Sequence, residues 1–475
     1  MSDSSIDRGL SLAPIRALRY TAGARRLGAL LCPPYDVIDD DARSALLATE
    51  PDNAVRVVLP RADGAAPGAP GQPGGAASVD DPYRQAAQRL DRWLSAGVVA
   101  VDEQPAIYVY EMRSPGHRGE APSVTRGLVG AVELRDPEDG VILPHENTMA
   151  GPVADRLALM SATDANLEPI YLVYDGGGAA SRAVASVAGT GGSPAVEPDP
   201  APAVRTGDDP SGTPALIASA ETPDGVVHRL WAITDPAELA AIEADLSTRH
   251  ALIADGHHRY ATYRQLAAQR NAERGPGPWD RGLALLVDSS AYGPQVHPIH
   301  RVVPGLSFDD AVGRAGAIFT VERVDSVDDA VTRLSAEQST GSAGAGFAVA
   351  ITDGSSVAMI GSPAPEALAA ARGADEPETL MDLDVSILHR VLIEQAWQLT
   401  DDEHHVGYAH EVDEALASAK TGNGIAVLVR ATPVAAVAAV AAAGARMPRK
   451  STFFTPKPAS GLVMRRFADQ GGIED

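Results

Sequence analysis

Residues 255–259 read Asp-Gly-His-His-Arg: a carboxylate, two imidazoles and a guanidinium around the residue type that turns most freely. An apolar run, ALIA, leads into them, and a helical pattern, YATYRQLAAQRNAER (260–274), follows. ALIAD therefore reads as a buried strand ending at Asp255, with His257, His258 and Arg259 in the first turn of a helix. A helix start offers free backbone N–H groups and the positive end of the dipole, which favour anions. A guanidinium grips phosphate oxygens with paired donors, so Gly256, the backbone after it and Arg259 form a candidate phosphate site. Asp255 is placed to cap the helix, orient a histidine or hold Mg²⁺. The plainer alternative is also open, with Asp255 as an N-cap and the histidines as surface residues. Neighbouring helical side chains project about 100° apart, so His257 and His258 chelate one ion poorly.

Other polar clusters lie at a distance in sequence. PHENT (144–148) sets His145 beside Glu146, a pairing suited to a general base or a metal ligand, and Asp155-Arg156 follow. CPPYDVID (32–39) is a proline-rich turn whose Tyr35 and Asp36 either line a pocket or serve only the turn. In HPIHR (297–301), extended geometry points His297 and His300 to opposite faces, against a shared metal. The segment 447–465 gathers Arg449, Lys450, Ser451, Thr452, Lys457 and Arg465 around two phenylalanines, a setting for phosphate or carboxylate. No Walker-type phosphate loop, Gly-x-Ser-x-Gly elbow or His-Glu-x-x-His helix occurs.

These residues need a scaffold, and the chain has length for two or three domains. Extended runs at 54–59, 106–112, 127–134, 169–175, 228–234, 251–255, 282–288, 347–352 and 424–430 alternate with helical patterns at 81–97, 235–247, 260–274 and 383–397. In the last, Val385, Leu388, Val391 and Leu392 form one stripe. The alternation implies an α/β (mixed α+β) fold with central mixed sheets and covering helices. Residues 61–80, 175–225 and 339–346 are rich in Gly, Pro, Ala and Ser and read as flexible insertions. They suggest regions at 1–175, 176–225 (an insertion), 226–310 with the Asp255 site, and 311–475 with the basic segment. PVAAVAAVAAAG (433–444) is too short to span a bilayer and reads as a helix capped by Thr432 and stopped at Gly444. The N-terminus carries no secretory signal, and the single cysteine, Cys32, excludes an internal disulfide; a cytoplasmic protein with no membrane partner is expected. A net charge of −24 disfavours nucleic-acid binding outside a local basic patch.

CPPYDVI (32–38), LPHENT (143–148) with DR (155–156), EPIYLVYD (168–175), LIADGHHRYAT (252–262), HPIHRVV (297–303), LDVSILHR (383–390) and 447–465 together resemble a bacterial and archaeal family known as domain of unknown function 1015. The Asp-Gly-His-His-Arg segment is also similar to the signature of the ParB/sulfiredoxin-like superfamily, which includes free-serine kinases. That resemblance implies a nucleotide phosphate bound where strand gives way to helix. The expectation is then a phosphotransferase using ATP or ADP with Mg²⁺ on a small molecule, for which the resemblance suggests a hydroxy amino acid such as serine. Gly256 and Arg259 would cradle phosphate, with Arg156, Lys450, Ser451 and Lys457 as further anion-binding groups. Asp255 would hold the metal or orient His257 or His258, and Glu146 would accept the substrate proton. Two alternatives are a non-catalytic ParB-like nucleotide-binding regulator and a metal-dependent hydrolase using His145, Glu146, His257 and His258.

Overall fold

The structure is a computed structural model that describes residues 9–61, 81–116, 121–187, 214–339, 346–373, 376–402 and 404–471. Most of the expected insertions, at 62–80, 188–213 and 340–345, lie outside the described residues. The chain forms two units. One comprises Met1–Leu143, Thr148–Pro294 and Pro456–Asp475, the other Pro144–Asn147 and Gln295–Thr455. This division ignores the insertions, because strand pairing joins segments on either side of them.

In the first unit, nine strands form a mixed sheet in the order Ile142–Leu143, Ala251–Asp255, Ile170–Tyr174, Arg281–Asp288, Ser123–Glu133, Ile107–Ser114, Val227–Ile233 and Ala215–Glu221, with Leu12–Ala13 added on Ser123–Glu133. Ala251–Asp255 runs parallel to Ile142–Leu143 and antiparallel to Ile170–Tyr174. One face carries Ile107, Val109, Leu128, Ile170, Leu172, Ile253 and Leu286 into an apolar core. On the other, Tyr108, Tyr110, Val129, Tyr171 and Leu285 are also buried. Burial on both faces explains why these strands read as nearly unbroken apolar runs.

The second unit is built on a six-stranded, wholly antiparallel sheet in the order Phe319–Val324, Val357–Pro363, Val349–Thr352, Ile425–Leu428, His300–Val303 and Gly407–Ala409. Neighbouring residues alternate between two cores: Val303, Val349, Ile351, Ile425 and Val427 enter one, Val302, Ala350, Ala426 and Leu428 the other. The chain is thus a mixed α/β protein in which each unit is built on one large sheet.

Four expectations are corrected. The valine-rich run 54–59 is a helix, Val55–Val58, rather than a strand. Buried Asn53 decides this: its Oδ1 accepts from Val55 N–H at 2.8 Å while its Nδ2 donates to the carbonyls of Ala29 and Leu31, so tertiary bonding overrides β-branched propensity. The stretch 176–225 is not insertion throughout, since it contains helix Ala179–Ser186 and edge strand Ala215–Glu221. Helix Val434–Ala442 begins after Pro433, and the Thr432 hydroxyl donates instead to the Ser451 carbonyl. Residues 388–396 wind as a π-helix after a short α-turn, Asp384–Ile387.

Candidate functional site

Strand Ala251–Asp255 would aim Asp255 at the apolar core if its pairing stayed regular, because Ile253, two residues earlier, lies there. It does not stay regular. Ile253 pairs with Leu172, but Asp255 pairs with Tyr171, so the register shifts between them. A bulge of this kind turns the following side chain to the opposite face. Asp255 thereby joins the face of Tyr108, Tyr110 and Tyr171 and escapes an unpaired burial in the core.

Gly256 follows at φ +94°, a left-handed conformation, and is the N-cap of helix His257–Arg274. No side chain caps this helix, so Asp255 is not the N-cap. Its carboxylate is bonded instead to the Arg259 guanidinium, one turn on, and to the Lys457 ammonium. Burial pushes the Asp255 carboxyl up, but Lys457 and Arg259 outweigh it and hold the group down at about 2. Arg259 is 1% exposed and donates a further bond to the Pro169 carbonyl. A Cβ on residue 256 would stand 3.1 Å from Arg259 Nε, so both the backbone conformation and the guanidinium require glycine.

Three more segments converge here. Glu168 is buried and accepts from Tyr35 N–H at 3.0 Å and the Ser460 hydroxyl at 2.8 Å. Burial raises its carboxyl despite the nearby Arg259 and Arg156. Arg156 reaches Asp155 at 2.5 Å, the Val58 carbonyl at 2.5 Å and Glu168 at 3.8 Å, and its guanidinium lies 4.0 Å from the Tyr35 ring centre. Two buried donors stay unspent: among the described residues, Arg259 Nε and the Tyr171 hydroxyl have no hydrogen-bond partner. Burial, then the charge of Asp255, raises the Tyr171 hydroxyl. His257 is buried with its charge felt by Asp255, and His258 Nε2 accepts from Met149 N–H at 3.0 Å, just before helix Ala150–Thr163.

The second unit holds the other expected residues. Met447 N–H donates to the His145 carbonyl at 2.8 Å, and the His145 ring contacts the Thr452 hydroxyl at 3.0 Å. Glu146 Oε1 accepts from Lys450 N–H at 3.2 Å, with Lys450 in the left-handed region at φ +53°. The buried Ser451 hydroxyl donates to the Pro448 carbonyl. Beneath this loop lies fully buried Arg301, which donates to the Lys450 carbonyl at 3.0 Å and to His389 Nε2 at 3.0 and 3.1 Å. Because His389 Nε2 must accept from a guanidinium, its proton sits on Nδ1, which lies 2.9 Å from Asp401.

The expected site residues therefore divide. Asp255, Gly256, His257, His258, Arg259, Arg156 and Lys457 belong to the first unit, and Glu146, Lys450 and Ser451 to the second. Among the described residues no group of three or more His, Cys, Asp or Glu is placed to hold a metal ion. Nor, among them, is any helix long and apolar enough to cross a membrane. Glu168, Tyr171 and Ser460 were not singled out from sequence. Glu168 left one cue, a carboxylate opening the apolar run PIYLVY; a tyrosine inside that run left none.

A family model described as "Protein of unknown function (DUF1015)" matches residues 12–386. No curated protein matches the chain. Among solved structures, a free serine kinase in complex with AMP is 14% identical with a TM-score of 0.32, covering 66% of this chain and 83% of that one. A conserved hypothetical protein from Pyrococcus furiosus is 13% identical with a TM-score of 0.32, covering 70% and 94%. SbnI with a C-terminal truncation, from Staphylococcus aureus, is 9% identical with a TM-score of 0.34, covering 70% and 86%.

Proposed function

We propose that this chain, which belongs to the DUF1015 family, binds the phosphates of a Mg²⁺–nucleotide at the start of helix His257–Arg274 and transfers a phosphoryl group to a small hydroxyl compound. The observation that carries this reading is the pair of buried, unspent donors beside Asp255, Arg259 Nε and the Tyr171 hydroxyl. They adjoin a helix start that no side chain caps. Buried donors without partners are costly, and a phosphate oxygen would satisfy them.

Charge favours a phosphate that brings its own cation. The carboxyls of Asp36, Asp155, Glu168 and Asp255 share this cluster with Arg156, Arg259, Lys457 and His257. Bare nucleotide phosphates add negative charge to this cluster, and bound magnesium cancels part of what they add. Mg²⁺ would neutralise charge between the phosphates. The residues of the chain bind and orient: the first-turn N–H groups and Arg259 Nε donate to phosphate oxygens, and Asp255 fixes the directions of Arg259 and Lys457. The acceptor suggested by the Asp-Gly-His-His-Arg resemblance is a hydroxy amino acid such as serine.

Calorimetry with MgATP and MgADP tests binding, and ³¹P NMR after incubation with serine tests transfer. Binding at Kd below about 1 mM is expected. Tyr171→Phe should weaken it at least about threefold, roughly one hydrogen bond, while leaving the fold intact. The reading fails if neither nucleotide binds at about 10 mM, or if Tyr171→Phe and Gly256→Ala both bind as the parent does. Binding without product favours the non-catalytic regulator.

A further inference from the structure

Within the second unit lies a pocket of about 520 Å³ that the phosphate reading does not use. One wall is the π-helix Leu388–Ala396, which contributes His389, Arg390, Glu394 and Gln395. An α-helix, at about 100° per residue, would spread these four positions over roughly 240°. The wider winding, with i→i+5 bonding and about 82° per residue, brings them within roughly 130°. The irregular helix is what makes the wall.

The lining is charged and balanced. Arg372, Arg390 and Arg446 face the same space as Glu376, Glu394 and Asp401. Some of these charges are committed: Arg390 pairs with Glu376 at 2.8 Å, Arg372 with Glu378 at 2.9 Å, and Asp401 with His389 at 2.9 Å. Glu394, at the mouth, has no ion pair or hydrogen bond among the described residues. Partial burial and then Asp401 raise its carboxyl, so an arriving positive charge is favoured there. Arg446, whose contacts include the adjacent Ala445 carbonyl at 3.2 Å, lines the same pocket and adds positive charge to it. A purely anionic ligand would meet three carboxylates, and a purely cationic one three guanidiniums. Among the lining residues the only aromatic ring is the His389 imidazole, whose two nitrogens already face Arg301 and Asp401, so a nucleobase finds no free aromatic platform.

We propose that this pocket binds a small zwitterion, its ammonium set against Glu394 and its carboxylate against Arg446. Such a ligand is a free amino acid or the terminus of a short peptide. The inference rests on the second unit alone and is independent of the phosphate reading.

Calorimetry on the full chain without nucleotide tests it, using L-alanine, glycylglycine, propylamine and propionate. The zwitterions should bind at least about tenfold more tightly than either singly charged fragment. Tighter binding of L-alanine assigns the pocket to free amino acids, and of glycylglycine to peptide termini; either supports the proposal. Glu394→Gln and Arg446→Gln should each weaken zwitterion binding at least about fivefold without moving the melting temperature. The proposal is overturned if propylamine or propionate binds as well as the zwitterions, if no probe binds at about 20 mM, or if both variants bind as the parent does.

Discussion

Asp255→Asn removes the charge that Lys457 and Arg259 share while keeping the size of the side chain. Both cations then stay buried without it: Arg259 is 1% exposed and the Lys457 side chain 13%. Removing one partner of a buried ion pair costs about 3–5 kcal/mol. A second estimate comes from the carboxyl itself, held at about 2 and so below its ordinary value; a shift of roughly two units corresponds to about 2.5 kcal/mol. The two bracket a loss of about 2.5–5 kcal/mol at neutral pH. The sign in acid follows from the depressed value. The folded state binds fewer protons than the unfolded chain, so this contribution is nearly complete above pH ~4 and is lost as the pH falls through ~2. The assay is urea unfolding followed by tryptophan fluorescence in a Trp397→Phe background, where Trp93, Trp231 and Trp279 all report on the first unit. The stability difference between parent and variant should narrow by about 1.8 kcal/mol between pH 4 and pH 2. A neutral-pH loss under about 1 kcal/mol, or a difference that stays constant through that window, would refute the claim that Asp255 is held ionised by its two cations.

Gly256→Ala should cost about 1–2 kcal/mol from the left-handed backbone alone and more from pressure on Arg259, read as a lower urea midpoint. Asn53→Ala should cost about 2–3 kcal/mol, because two carbonyls and one amide lose their partner together; a loss within the noise of the unfolding curve would argue against Asn53 as the residue that imposes the helix. In the second unit, burial first and then Arg301 lower the His389 imidazole. Arg301→Met should therefore move the His389 titration upward by NMR, and an unmoved titration would separate the two residues.

The long central strands were legible because burial on both faces leaves apolar runs of the right length, and the runs at 106–112, 127–134, 169–175, 228–234, 251–255 and 282–288 all lie in one sheet. The failures share a cause. Val55–Val58 has strand composition, but Asn53 and the Ala29 and Leu31 carbonyls impose a turn from outside the run. Residues 383–397 carry a valid apolar stripe, and a stripe does not distinguish 3.6 residues per turn from the wider π-winding, so the pocket wall was invisible. Strand Ala215–Glu221, ALIASAE, sits beside a Gly/Pro-rich stretch and took on its character in a composition reading.

The Asp255 environment shows what a local pattern omits. Period-two alternation applied to ALIAD puts Asp255 on the same face as Ile253, inside an apolar core where a carboxylate has no partner. Pattern alone therefore argues either for a neutral, buried acid or against the strand. The bulge resolves this by moving one side chain across the sheet, to where Lys457, two hundred residues away in sequence, completes the charge. Its position is set by pairing with Tyr171, not by any residue in 251–255. The segments CPPYDVI, DR, EPIYLVYD, ADGHHR and TPKPAS each look like ordinary turn or surface chemistry by themselves. Tyr35, Arg156 and Ser460 bond to Glu168, Arg259 and Lys457 bond to Asp255, and the charge of Arg259 acts on both carboxyls, which is what makes these segments one cluster; Arg259 Nε and the Tyr171 hydroxyl are the donors it leaves for the proposed phosphate.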